Sequence, residues 1–170
     1  MHKSTIIGVS SVVLEQYFAF LNRKEYKKYL LYTFGDIQEN MSAPLNEIDS
    51  DKKTFKLITI GALRYPKNQQ YLIKAFEKLK DENFELHIYG EGKLQHQLQA
   101  EIDKSGVKVI LKGEVKSAAS LIPCYDLYVM SSEFEGFSIS VLEAMAMQMP
   151  LLLSEISSFK EQCDDTANIF

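Results

Sequence analysis

The stretch from Ser131 to Pro150, SSEFEGFSISVLEAMAMQMP, holds the residues of this chain that are best suited to chemistry. Glu135 and Gly136 follow an apolar, strand-like run, and Phe137 and Ser138 open a helical pattern. A glycine lets the backbone come close to a ligand, and the free N–H groups at a helix N-terminus attract anions. The segment therefore predicts an anion site, such as one for a phosphate, with a carboxylate beside it.

A second carboxylate, Glu143, lies inside the same helical pattern between Leu142 and Ala144. Burying a carboxylate in so apolar a helix is unfavourable unless hydrogen-bond donors reach it. Ribose offers two adjacent hydroxyl donors that one carboxylate can accept together, so a helix N-terminus with a carboxylate along it suits a nucleotide. The alternative is that Glu143 points to solvent or pairs with a lysine, as most helical glutamates do.

The scaffold for these residues is an alternation of strands and helices after residue 53. Short, continuously apolar runs predict strands, and amphipathic runs between them predict helices. The predicted strands are 55–60, 84–89, 107–111, 127–130 and 150–153, and the predicted helices are 69–80, 94–104, 117–121, 138–147 and 157–162. Such strands indicate a mostly parallel sheet covered on both faces, which is an α/β, Rossmann-like, three-layer domain. Its ligands are expected at the carboxyl ends of the strands.

Composition limits the function classes. The chain has 170 residues, with 19 Lys and Arg against 23 Asp and Glu, so its formal charge is −4. With 46% hydrophobic and 25% charged residues, it matches an average globular protein, and its mild acidity argues against a dedicated nucleic-acid binder. No apolar run reaches the roughly 18 residues of a membrane span, and the first residues make a poor secretory signal. We therefore expect a cytoplasmic protein.

Metal-ligand spacing is missing from the sequence. The two cysteines, Cys124 and Cys163, are isolated, and the three histidines have no partner cysteine or carboxylate at a ligand spacing. His87 lies in a strand-like alternation and is expected to pack in the sheet or at its edge. We expect no metal site.

The motifs together resemble the group 1 glycosyltransferases, which are retaining enzymes of the family 4 type with the GT-B architecture. Glu135 and Glu143, with seven residues between them, resemble that family's E-x7-E signature. The segments ITIGALRYPKNQQYLIKAF, LHIYGEG and LKGEV resemble its preceding strand ends in order and spacing. The resemblance covers residues 55–170 and implies the C-terminal, nucleotide-sugar-binding half of a GT-B fold.

The resemblance also implies a role for each matching residue. Glu135 would contact the hydroxyls of the donor sugar, the amides from Gly136 to Ser138 would hold the diphosphate, and Glu143 would bind the ribose. Lys67 matches the lysine whose ammonium neutralises charge on the leaving group. The donor substrate would be a nucleotide diphosphate sugar, with no separate cofactor and no metal. The acceptor would be a glycan or a lipid-linked glycan, as in polysaccharide biosynthesis.

The choice of nucleotide base would depend on pocket contacts near Glu114 and Val115, which follow a predicted strand. Spacing in the sequence does not identify the base, the sugar or the acceptor.

The sequence departs from the family pattern at two strand ends. Gly61 matches the glycine after the first strand of the domain, but the arginine that usually follows it is Ala62 here. Arg64 is the nearest basic residue that could reach the same phosphates. The glycine that usually precedes the proline of the last strand is replaced by Gln148 and Met149, which predicts an altered turn.

The chain is also shorter than the family's usual length. We expect residues 1–50 to be the end of the acceptor domain with a linker, and residues 51–170 to be the donor-binding domain. Activity of this chain alone is therefore in question, and the alternative function is a catalytically inert, Rossmann-like interaction or regulatory module.

Two features before residue 50 suggest contacts with other surfaces. The predicted helix at residues 9–21 would leave an apolar flank exposed, through which the chain could self-associate. Basic residues alternate with tyrosines at residues 23–32, including Lys27 and Lys28, and could touch anionic lipid at the inner face of the membrane. The alternative for this stretch is a solvated helix face.

Overall fold

The computed structural model of the chain describes residues 54–163 and 167–170, together with the backbone of two short strands near the N-terminus. These strands, β1 (Thr5–Gly8) and β2 (Lys27–Leu30), pair in parallel. The interpretation of Lys27 and Lys28 as part of a helix face was therefore wrong, because pairing with β1 satisfies the backbone groups of this segment in a ladder. The predicted helix at 9–21 and the rest of the basic stretch lie outside the described residues.

The main body is a six-stranded sheet in the order β5-β4-β3-β6-β7-β8, and each of its pairings is parallel. The strands are β3 (Phe55–Ile60), β4 (Phe84–Tyr89), β5 (Val109–Gly113), β6 (Leu127–Met130), β7 (Leu151–Leu153) and β8 (Asn168–Ile169). The helices are α1 (Gln69–Lys78), α2 (Gln95–Ser105), α3 (Ile139–Ala146) and α4 (Ser157–Cys163), with 3-10 helices at Tyr65–Lys67 and Ala118–Cys124. The α/β, Rossmann-like prediction is confirmed.

Apolar side chains fill both faces of the sheet. Neighbouring residues of β3 point to opposite faces, so that Leu57 packs under α1 and α2 and Ile58 packs under α3 and α4. The first cluster contains Ile73 and Phe76 of α1, and the second is built around Phe159 of α4. The sheet is thus the middle of three layers, and its strand ends remain available for a site.

Differences from the predicted boundaries have local causes. Strand β5 begins at Val109 rather than at residue 107, because α2 is closed by Gly106 in the left-handed conformation, with φ of 63°, and the chain must first turn back. The short helix predicted at 117–121 is a 3-10 helix that continues to Cys124. Strand β8, with two residues, is too short to show a periodic pattern and was not predicted.

The loops that follow β3 and β4 pack backbone against backbone. The Gly61 and Leu63 N–H groups donate to the Tyr89 and Glu91 carbonyls, each at 2.9 Å. A β-carbon at Gly90, where φ is 136°, would lie 2.1 Å from the Gly61 carbonyl oxygen. Glycine is therefore required at this contact, which fixes the loop that leads to Lys67.

Among the described residues, no helix combines the length and the apolar character that a membrane crossing requires.

Candidate functional site

Two charged residues far apart in sequence meet at the carboxyl ends of β3 and β6. The Lys67 ammonium donates to Oε1 of Glu135, and the two side chains are only 13% and 12% exposed. The Ser132 hydroxyl donates to the same oxygen at 3.2 Å. Little water competes for these groups, so the attraction between them is stronger than that of a surface ion pair.

The loops that carry this pair are bound to each other. Lys67 ends the 3-10 helix Tyr65–Lys67, and the Glu133 N–H donates to the Pro66 carbonyl at 2.9 Å. The Ser131 hydroxyl donates to the Asn68 carbonyl at 2.8 Å, and the Asn68 amide donates to the Glu133 carboxylate at 3.0 Å. The spacing between Lys67 and Glu135 is therefore held by hydrogen bonds that join the two loops.

Because Gly61 has no side chain, the Lys67 side chain can pass over it to reach the site. A β-carbon on Gly61 would lie 3.4 Å from Cε of Lys67, so the lysine stem runs directly over this glycine. Arg64 is exposed on the same loop, and its side chain forms no hydrogen bond or ion pair with the described residues. The structure thus brings Gly61 and Lys67 to the site and leaves the Arg64 side chain exposed to solvent.

The N-terminus of α3 follows Glu135 closely. Ser138 precedes the helix in an extended conformation, and Gly136 and Phe137 are half-buried in the loop before it. The Ser138 N–H donates to the Gln162 side-chain oxygen at 3.0 Å, and the Gln162 side-chain nitrogen donates to the Ser138 carbonyl at 2.7 Å. In this structure the Ser138 amide is therefore occupied, which differs from its predicted use for a diphosphate.

The amides next along the helix are placed for an anion instead. The Leu142 N–H donates to the Ser138 carbonyl at 3.1 Å, as the first bond of the α-helical ladder. The N–H groups of residues 139–141 precede that bond and point out of the helix end. They provide the partial positive charge that a helix N-terminus offers to a phosphate.

A buried tyrosine ties this helix end to the sheet. The Tyr128 hydroxyl donates to Oγ of Ser140 at 2.8 Å, and the Ser140 hydroxyl donates to the Ile60 carbonyl at 3.1 Å. Burial raises the pKa of Tyr128 well above its usual range, and the charges of Glu143 and Glu135 raise it further. The tyrosine therefore stays protonated, and both glutamates act on the same hydroxyl.

Glu143 sits one turn into α3 and is half-buried. Burial raises the pKa of its carboxyl group. Within the described part of the chain, this side chain has neither a hydrogen bond nor an ion pair, so the pairing with a lysine is not seen there. A partly desolvated carboxylate beside a helix N-terminus is what the nucleotide interpretation requires.

A cleft of about 260 Å³ opens beside Gly61, between the ends of β3, β4 and β5. Its walls include Gly61, Tyr89, Gly90, Glu91, Glu114 and Val115. The region near Glu114 and Val115 is therefore a concavity, as a pocket for a base requires, and it lies on the same edge of the sheet as the ion pair.

Three residues that support the site were not predicted from the sequence: Ser132, Gln162 and Tyr128. Ser132 stands three positions before Glu135, and a serine after a strand was a signal that could have suggested a hydrogen bond to it. Tyr128 reads as an ordinary strand residue, and Gln162 reaches Ser138 from another helix. Sequence spacing alone carries no signal for the last two.

A parallel sheet with charged side chains and a helix N-terminus at its carboxyl edge is typical of an α/β protein that binds its ligand at the ends of the strands. The family is settled by sequence. Residues 43–170 match the model of the family described as glycosyl transferases group 1, and the chain belongs to that family.

Individual relatives agree. The chain is 28% identical over 149 residues to the uncharacterized glycosyltransferase MJ1059 of Methanocaldococcus jannaschii, covering 84% of this chain and 37% of that protein. It is 30% identical over 102 residues to the O-antigen biosynthesis glycosyltransferase WbnH of Escherichia coli, covering 60% of this chain and 29% of that protein. The chain thus spans well under half the length of these relatives.

The fold agrees with a solved structure as well. The structure of a mutant of S. aureus TarM, in complex with Fondaparinux, alpha-GlcNAc-glycerol and UDP, superposes with a TM-score of 0.78. The match covers 97% of this chain and 33% of TarM, at 21% identity. This confirms that the present fold is part of a GT-B glycosyltransferase architecture.

Proposed function

We propose that this chain is the donor-binding part of a retaining, metal-independent glycosyltransferase that takes a sugar from a nucleotide diphosphate sugar. The observation that carries the proposal is the Lys67–Glu135 ion pair beside the N-terminus of α3, with Glu143 one turn further along. An ammonium and free amides suit a diphosphate, and two carboxylates suit the hydroxyls of a sugar and a ribose. The family supports the same assignment.

Each residue has a defined part in the transfer. Breaking the bond between the sugar and the diphosphate builds negative charge on the leaving oxygen, which Lys67 and the amides of residues 139–141 would stabilise. Glu135 would accept hydrogen bonds from the sugar hydroxyls and orient the ring, and Glu143 would accept them from the ribose. The fixed loops pre-organise these groups, so little rearrangement is needed at the moment of reaction.

The base of the nucleotide would occupy the cleft beside Gly61. The cleft adjoins the loop that carries Lys67, and its volume of about 260 Å³ is bounded by Glu114 and Val115 on the far side. TarM, whose fold is similar, was solved with UDP. UDP is therefore the first nucleotide to try, followed by GDP and ADP.

The setting would be polysaccharide or lipid-linked glycan assembly in the cytoplasm or at the inner face of the membrane. WbnH, a relative, is named for O-antigen biosynthesis, which supports a glycan acceptor. Residues 1–50 would be the end of an acceptor domain with its linker, and residues 51–170 the donor-binding domain.

The test is calorimetric titration of the purified chain with UDP, GDP and ADP, without added metal. We expect saturable binding of one nucleotide and at least a tenfold loss of affinity in Glu143→Ala. The matched control is Glu77→Ala, which removes an exposed glutamate from α1 and should bind like the parent.

A folded chain that binds none of the three, either as the parent or as Glu135→Gln, would overturn the proposal in favour of the inert module, for which the replacement of the family's arginine by Ala62 is the supporting observation. If Glu143→Ala and Glu77→Ala bind equally well, the ribose assignment is wrong.

A further inference from the structure

We propose that the Lys67–Glu135 pair makes the site selective for an intact nucleotide sugar over the nucleoside diphosphate from which it is made. The inference rests on the proposed function and adds a reason why the nucleoside diphosphate leaves the site after the sugar has been transferred.

Without a ligand, Lys67 and Glu135 are bound to each other as an ion pair. Oε1 of Glu135 accepts from both the Lys67 ammonium and the Ser132 hydroxyl, and the two charged side chains are almost buried. Within the described residues, Lys67 has no second carboxylate partner. Drawing Lys67 away would leave the Glu135 charge in a water-poor place, which is strongly unfavourable for a buried pair.

A nucleoside diphosphate can replace the partner of Lys67 but not the partner of Glu135. Its terminal phosphate attracts Lys67, but it brings no donor to Glu135 and adds its own negative charge nearby. An intact nucleotide sugar replaces both partners, because the phosphates take the ammonium while the sugar hydroxyls donate to the carboxylate. After transfer the sugar is gone, Glu135 recovers Lys67, and the diphosphate loses its cation.

Ser132 is the positioning residue of this exchange. Its side chain is fully buried, its hydroxyl donates to Glu135, and its own carbonyl accepts from the Ser154 hydroxyl. Ser132 therefore holds Oε1 of Glu135 in place while Lys67 changes partners. Oε2, which has no partner among the described residues, is the oxygen left to meet a sugar hydroxyl.

The experiment compares nucleoside diphosphates with monophosphates, so that the sugar need not be known. UDP and UMP, GDP and GMP, and ADP and AMP are titrated against the parent, Glu135→Gln and Glu133→Gln. Glu133 is the matched control because it lies two residues away in the same loop, carries the same charge, and bonds to Asn68 rather than to Lys67.

In Glu135→Gln the ammonium is released for phosphate. We expect the ratio of diphosphate to monophosphate affinity to rise about tenfold, which corresponds to the free energy of a hydrogen bond to a charged group. In Glu133→Gln the ratio should stay within about twofold of the parent, because exposed charges are screened.

An unchanged ratio in a folded Glu135→Gln, or an equal rise in both variants, would overturn the inference. The parent gives a test that needs no variant: a diphosphate that binds it more than about a hundredfold tighter than the monophosphate would show that Lys67 is already free.

Failure of the proposed function gives a different result. If neither the parent nor Glu135→Gln binds a nucleotide, the proposed function fails. If the parent binds one and the ratio is unchanged in Glu135→Gln, only the present inference fails. If only Glu135→Gln binds, the ion pair is the barrier and both proposals are supported.

Discussion

Single residues of the site carry charges that the fold keeps partly away from water. Lys67 and Glu135 compensate each other, whereas Glu143 meets no cation among the described residues. Burial raises the pKa of Glu143, so ionising this group in the folded chain is less favourable than in the unfolded chain. A side chain that weakens its own fold is typical of a binding site, where a ligand supplies the missing donors.

The raised pKa of Glu143 makes the stability of the chain depend on pH. Because its pKa is higher in the folded chain, the unfolded chain loses its proton first as pH rises from about 4.5, the ordinary value. The contribution of Glu143 to stability is therefore fully present at low pH, where its carboxyl group is protonated, and it is lost as pH rises through the pKa that the group has in the folded chain. We expect Glu143→Gln to be more stable than the parent at pH 7, with the difference shrinking towards pH 4 in urea unfolding.

The control for this prediction is Glu77→Gln, which changes an exposed glutamate of α1. Its difference from the parent should stay nearly constant across the same pH range. A Glu143→Gln variant that is less stable than the parent at pH 7 would mean that the ionised carboxylate has a favourable partner in the folded chain.

At the scale of elements, the end of α3 shows how a turn is kept without its usual residue. Gln148 stands where the family has glycine, and the turn was expected to change. Instead Gln148 adopts the left-handed conformation, with φ of 55°. Its N–H donates to the Met145 carbonyl at 2.9 Å, and the Met149 N–H donates to the Ala144 carbonyl at 3.0 Å, which are the two bonds of a Schellman motif.

Restoring glycine at this turn should stabilise the chain. The left-handed conformation destabilises a residue with a β-carbon by about 1 to 2 kcal/mol, and glycine avoids this strain. About half of the gain is lost, because glycine makes the unfolded chain more flexible and so stabilises the unfolded state. We expect Gln148→Gly to raise the free energy of unfolding by about 0.5 to 1 kcal/mol in urea titration.

The matched control is Gln99→Gly, which places glycine at an exposed position in the interior of α2 and should destabilise the chain by about 1 kcal/mol. Equal losses in the two variants would show that position 148 gains nothing from glycine and that the turn is not strained.

The elements also show what a sequence can and cannot predict. Strands β3, β4 and β6 lie where their apolar runs placed them, because burial on both faces leaves a strong local signal. Glu135 and Glu143 were predicted because strand ends and helix starts mark the edge of a parallel sheet, whereas Lys67 was predicted only from the resemblance to the family. The bond between Lys67 and Glu135 and the bond of Gln162 to the Ser138 backbone could not be predicted, since each joins residues from elements far apart in the sequence.

For the whole molecule, the important fact is that the site lies at one edge of one sheet. The loop after β3 carries Lys67, the loop after β6 carries Glu135, and α3 begins shortly after it. Bonds between Ser131 and Asn68 and between Ser140 and Ile60 join these parts. A ligand at this edge therefore contacts several elements at once and should stabilise them as a unit.

Hydrogen exchange with mass spectrometry measures that coupling directly. A nucleotide at about 100 times its Kd should stabilise the folded chain by about 2.7 kcal/mol. Protection should be largest at the amides of residues 139–141, which have no partner in the helix and would bond to phosphate, and should extend to the loop after β3. The turn at residues 79–83, at the amino ends of the strands, serves as the internal control and should gain only what global stabilisation confers. Protection centred on that turn would place the ligand at the opposite edge of the sheet and contradict the site. If the protection of residues 139–141 is lost in Glu143→Ala, the residue assigned to the ribose and the amides assigned to the phosphate bind the same ligand.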